Sequence, residues 1–181
     1  MTKLLYKLTL LLTAFFLFAG FSSCRKDPSR QDEALSVEKE MLDTLHRDMI
    51  SRASELMHSD STWREAVSLL SDVTSGYYKY PEDTALRNTA TVAFRLLAEI
   101  QMEHSYDYEK AYKTLTTARM IAEEDCNDFQ KSFVYGKLSA LYYWAADGDP
   151  EIEGQSYDFL MRSAGCALKS GNQESMLTAA L

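Results

Sequence analysis

From residue 32 to the end of this 181-residue chain, apolar side chains recur at intervals of three and four, and no stretch alternates apolar with polar. Leu42, Leu45, Met49, Ile50, Ala53, Leu56 and Met57 form one such series, and Leu86, Ala90, Ala93, Phe94, Leu97 and Ile100 another. That spacing lays a stripe along one side of a helix, whereas a half-buried strand needs a period of two. The punctuation agrees, because the only prolines are Pro28, Pro81 and Pro150. Proline breaks helix interiors, so long helices can run between these points. The reading is all-α, with helices over 33–58, 62–75, 83–104, 107–124, 128–146, 151–170 and from 172 to the end. Thr62-Trp63-Arg64-Glu65 has capping-box spacing, Asp107 can cap the helix that starts at Tyr108, and Asp149-Pro150 supplies a cap followed by proline at the first helical position. Gly76 and Gly171 suit helix ends.

Helix pairs of such regularity invite a self-comparison. Trp63-Arg64-Glu65-Ala66 lies over Tyr108-Glu109-Lys110-Ala111, after which Leu70 meets Leu115 and Val73 meets Ala118, all at a spacing of 45 residues. A weaker third copy, 46 residues further on, puts Tyr157, Met161 and Ala164 in the places of Ala111, Leu115 and Ala118. In the first helix of each pair, Ile50, Ala53, Ser54 and Met57 correspond to Arg95, Ala98, Glu99 and Met102, and to Tyr135, Leu138, Ser139 and Tyr142.

At these residues the chain resembles a tetratricopeptide repeat protein over roughly 40 to 175, best at Tyr108-Glu109-Lys110-Ala111 with Leu115 and Ala118. The period of 45 exceeds the motif's usual length of about 34, which longer helices account for. The proline usual after the second helix is missing. The resemblance implies a solenoid of about three helix pairs plus an incomplete last helix, with a concave face that holds an extended peptide or a partner's helix. That face comes mainly from first helices, so Arg95, Glu99, Met102, Lys137, Ser139 and Tyr143 are the candidate partner-binding residues. Arg95 and Glu99 break the motif, standing where it has small or apolar residues. Arg95→Glu is expected to abolish partner capture without unfolding the domain. The aromatic groups Tyr77, Tyr78, Tyr80 and Tyr142, Tyr143, Trp144 read first as repeat packing and loop anchoring, and second as binding surface.

Ahead of the repeats, Lys3 and Lys7 precede a mostly apolar run, Leu8 to Phe21, which ends in Phe21-Ser22-Ser23-Cys24. A cationic start, an apolar run of 14 residues and small residues before a cut form the pattern of an export signal, and the run is short for a membrane span. The cysteine after two serines resembles the lipobox of bacterial lipoproteins, with Phe21 where Leu is usual. The resemblance implies cleavage after residue 23, acylation of Cys24, and a protein tethered to a membrane without spanning it. Each buried methylene contributes about 0.8 kcal/mol, so two or three acyl chains make a lasting anchor. Arg25 in place of aspartate after the cysteine favours the outer membrane of a bacterial envelope, with the domain facing periplasm or exterior. The expected organisation is a signal peptide over 1–23, the lipidated cysteine and a polar linker over 24–31, and the repeat domain over 32–181. Seven linker residues reach at most about 25 Å, which keeps the domain near the bilayer.

Removing residues 1–23 takes away two lysines and no acid, leaving 17 Lys and Arg against 27 Asp and Glu, a net charge of −10. Such a surface repels phosphate backbones, and no basic cluster offsets it, so nucleic-acid binding by this region is set aside. Cys126 and Cys166 are expected to stay unpaired. The repeat alignment offsets them by about six residues along neighbouring helices, roughly 9 Å, beyond the Cα separation a disulfide allows. His46, His58 and His104 are scattered; the closest approach to a metal pair, His104 and Asp107, reads as a solvated turn. No phosphate loop, nucleophile elbow or Cys-His pairing occurs. The expected function is therefore non-catalytic and free of cofactor and metal: a membrane-tethered module that binds a protein or peptide. Two other readings fit the same resemblances, the sensor part of a membrane-bound tetratricopeptide-containing transcriptional regulator and a glycan-binding outer-membrane lipoprotein.

Overall fold

A computed structural model describes residues 28–125 and 127–171, with side chains from residue 32 onward. Cys24, the export signal, Cys126 and the helix expected from 172 lie outside the described residues. Six helices, α1 (Pro28–Leu56), α2 (Trp63–Lys79), α3 (Thr84–Glu103), α4 (Tyr108–Glu124), α5 (Asp128–Ala146) and α6 (Pro150–Ser170), follow one another, and no strand occurs among the described residues. The chain divides after Glu38, and residues from Lys39 onward form one compact unit.

Most helix ends follow the sequence signals. Asp83, Asp107 and Asn127 each accept a hydrogen bond from a backbone N–H three residues on, at 3.0 to 3.2 Å, which satisfies an otherwise orphaned donor of the first turn. Asp149 caps α6 through Glu151 N–H at 2.9 Å, with Pro150 at its first position. Gly171 ends α6 in the left-handed region, φ 64°.

Three expectations need correction. The segment expected to be a linker up to residue 31 is helical from Pro28, since proline at a first helical turn sacrifices only an N–H that has no intrahelical acceptor. Thr62 makes no capping hydrogen bond to α2; its hydroxyl donates instead to the Leu56 carbonyl at 2.8 Å, closing the end of α1. Gly76 does not end α2, which runs on to Lys79. It is needed inside the helix because the His46 ring of α1 lies against it: a Cβ at position 76 would stand 2.1 Å from His46 Cε1. His46 is only 3 % exposed, whereas Leu45, expected on the buried stripe, is 53 % exposed. The stripe of α1 is therefore turned by one residue at this point.

Consecutive helices from α2 onward pack on one another, and α3 also touches α5. Two apolar cores result. One joins Ala53, Leu56 and Met57 near the end of α1 to Ala66, Leu70 and Val73 of α2 and to Ala93, Leu96, Leu97 and Ile100 of α3. The other joins Ala90, Phe94 and Ala98 on another side of α3 to Ala111, Leu115, Ala118 and Ile121 of α4 and to Val134, Tyr135, Leu138 and Leu141 of α5. Between α5 and α6 the closest passage is made by small residues. Ser156 Oγ donates to the Ser139 carbonyl at 2.8 Å and Ser163 Oγ to the Ser132 carbonyl at 2.7 Å, so the two helices run antiparallel. Gly136 sits between these contacts, 3.5 Å from Ser163 Oγ at its would-be Cβ.

These contacts also correct the third copy of the repeat. Ser156 and Ser163 are the buried residues, while Tyr157 and Met161 are exposed. The matching positions are thus Ala66, Ala111 and Ser156, and Val73, Ala118 and Ser163, at an unbroken spacing of 45 residues. Serine in place of alanine made the true register look polar, and the neighbouring apolar residues pulled the alignment by one.

Candidate functional site

Two adjoining hollows, of about 550 and 410 Å³, lie along α5, between α3 and α6 in the first case and beside the α3–α4 turn in the second. Arg95, Glu99, Lys137, Ser139 and Tyr143 line the first; Met102 and Lys137 line the second, and Lys137, Ala140 and Trp144 belong to both. All six residues singled out in the sequence thus border one continuous groove.

Its floor is charged. Lys137 Nζ of α5 meets Glu99 Oε1 of α3 at 2.8 Å, and Arg95 Nη1 approaches the other oxygen of Glu99 at 4.0 Å. The Arg95 guanidinium also lies 5.2 Å from the centre of the Phe133 ring, in cation–π range. These three charged side chains are largely buried. A carboxylate held between cations from two helices costs several kcal/mol if one partner is removed, because the remaining charge stays desolvated. Arg95 and Glu99 break the small-or-apolar pattern for this reason: they tie α3 to α5. Arg95→Glu would set two carboxylates together beneath Phe133, so that variant is now expected to lose stability as well as partner capture.

The rim is aromatic and open. Tyr143 and Trp144, at the end of α5, are 65 % and 69 % exposed and pack edge to face at 6.0 Å. Their companion Tyr142 points the other way, into Tyr112 at 6.1 Å and Phe159 at 5.3 Å. The sequence cluster therefore splits, one residue to repeat packing and two to the rim. Tyr77 divides from Tyr78 in the same sense, the former packed on the second core and the latter exposed on one side. Tyr106 and Tyr108 complete the rim of the second hollow. Tyr106 has a left-handed backbone, φ 52°, and its ring is 71 % exposed. A non-glycine residue in that region costs of order 1 kcal/mol, and the surrounding turn holds it there through Asp107 N–H to the Gln101 carbonyl at 2.9 Å. Sequence reasoning missed Tyr106; an aromatic residue inside a four-residue turn was its only signal.

His46 and His104 serve the architecture. His104 does not pair with Asp107: its Nε2 lies 2.7 Å from the Met57 carbonyl, and its ring stacks on Trp63 with centroids 5.5 Å apart, fastening the α1–α2 turn to the end of α3. Among the described residues Cys166 has no disulfide partner, and burial pushes its thiol up, away from the reactive thiolate. Among the described residues no group of three metal-ligating side chains gathers, and no helix is long and apolar enough to cross a membrane. Comparison with protein-family models, with curated proteins and with solved structures gives no match.

Proposed function

We propose that this chain is a membrane-tethered interaction module of the bacterial cell envelope: a tetratricopeptide-like array of helix pairs, anchored through lipid on Cys24, that holds a peptide or partner helix in the α3–α5–α6 groove. The observation that carries the reading is the groove itself, a charged floor under an open aromatic rim of Tyr143, Trp144 and Tyr106. Aromatic side chains bury large areas at little entropic cost, which is why they concentrate binding energy at interfaces. Arg95 and Lys137 face Glu99 and Glu103 along the groove, so its formal charges balance and the open rings are what it offers to an apolar or aromatic side chain of the partner. The 45-residue period, with Ala66, Ala111 and Ser156 at the tight crossings, supports the repeat architecture.

The groove is tested with peptides selected from a random library on the wild-type chain. Trp144→Ala is expected to weaken them at least about tenfold while leaving the melting temperature unchanged, since the ring is mostly exposed. Undiminished binding to that variant would place recognition elsewhere. The anchor is tested separately by metabolic labelling with palmitate, expected in the wild type and lost in Cys24→Ala; label retained in the variant removes the tether.

A further inference from the structure

Each second helix of a pair has two faces to cover. One rests on the first helix of its own pair, through Ala111 and Ala118 in α4 and Ser156 and Ser163 in α6. The other lies roughly 100° further round the helix, at one residue's rotation. In α2 this outer face includes Val67, packed on the first core, and Tyr78, which meets Phe94 of α3 edge-on at 6.4 Å. Forty-five residues on, in α4, the same places hold Tyr112, which meets Tyr142 of α5, and Glu123, which accepts the Tyr135 hydroxyl at 2.6 Å. In both pairs the helix that follows in the chain covers this face in part, leaving Tyr78 67 % and Tyr112 41 % exposed.

In α6 the equivalent residues are Tyr157 and Leu168, with Met161 and Ala164 between them. Tyr157, Met161 and Leu168 are 62, 55 and 71 % exposed. This face is also more apolar than its counterpart, since Met161, Ala164 and Leu168 stand where α4 has Thr116, Arg119 and Glu123. A helix face that was meant for water would show the opposite trend. The chain beyond the Gly171 cap carries Met176, Leu177, Ala180 and Leu181, a one-sided series at helical spacing.

We propose that the outer face of α6 is the docking surface for an amphipathic helix formed within residues 172–181 of this same chain, as α3 packs on α2 and α5 on α4. The test is amide hydrogen exchange on the full chain, read at residues 174–181 over a range of concentrations. Exchange there is expected to be slowed at least about tenfold, independently of concentration. The double variant Met161→Asp, Leu168→Asp is expected to abolish that protection while α3 stays as protected as before, which shows that the rest of the domain still folds. Absence of protection in the wild type overturns the proposal. Protection confined to concentrations at which a dimer sediments overturns it too, and assigns the face to a second copy.

Discussion

Gly76→Ala is ordinarily a stabilising change, because alanine in a helix interior is favoured over glycine by about 0.5–1 kcal/mol. Here it should destabilise. The new methyl would stand 2.1 Å from His46 Cε1 and 2.6 Å from Nε2, well inside contact distance, and the ring is 97 % covered, so it cannot swing into solvent without opening the α1–α2 packing. Overpacking of this kind costs about 1–3 kcal/mol. Set against the propensity gain, the net loss is about 1–2 kcal/mol, or roughly 3–6 °C in melting temperature for a domain of this size. The assay is thermal and urea unfolding of a double-mutant cycle. In a His46→Ala background the obstruction is gone, and Gly76→Ala should revert to its ordinary gain, giving a coupling of about 2 kcal/mol. A rise in melting temperature for Gly76→Ala in the wild type, or an equal effect in both backgrounds, refutes the reasoning.

Gly154 offers the contrast: it lies in α6 with nothing within 4 Å of a would-be Cβ, so Gly154→Ala should raise stability by about 0.5–1 kcal/mol in the same unfolding assay. Burial lowers the His46 pKa from 6.5, only partly opposed by the Asp43 carboxylate. The unfolded chain therefore takes up that proton first as pH falls. Its contribution to stability is full above about 6.5 and declines as pH drops through 6.5 towards the folded value, so urea midpoints should fall more steeply for wild type than for His46→Ala. Equal slopes would remove His46 from the pH response. Desolvation and the bond to Glu123 raise the Tyr135 phenol to about 12, so Tyr135→Phe should delete a late-ionising tyrosine from an absorbance titration. It should also cost about 1–2 kcal/mol by unfolding; an unchanged high-pH titration would show the hydroxyl to be solvated.

Helix positions were legible because Asp107, Asp149 and Gly171 act locally, within a turn of the backbone they cap. Ala66, Ala111, Leu70 and Leu115 were legible because a repeat shows its own packing twice. What escaped was tertiary. Gly76 looks like a stop signal in one dimension, and only the His46 ring from another helix makes it an interior residue. Thr62 has the composition of a cap but finds a nearer acceptor in the end of α1. In the groove, the residue types of Arg95 and Glu99 announced an exception to the motif. That the exception is a tie between helices, through Lys137, depends on a contact 38 residues away along the chain that no local pattern carries.

The double allegiance of α3 bears on how the molecule comes apart. Its Ala93, Leu96, Leu97 and Ile100 belong to one core and its Ala90, Phe94 and Ala98 to the other, so losing this helix removes a wall from both. Arrays whose units touch only their neighbours tend to fray from the ends inward. In this chain, fraying that begins at α6 must halt at a helix clamped from both directions, and the final melting step should therefore be a single cooperative event centred on residues 84–103.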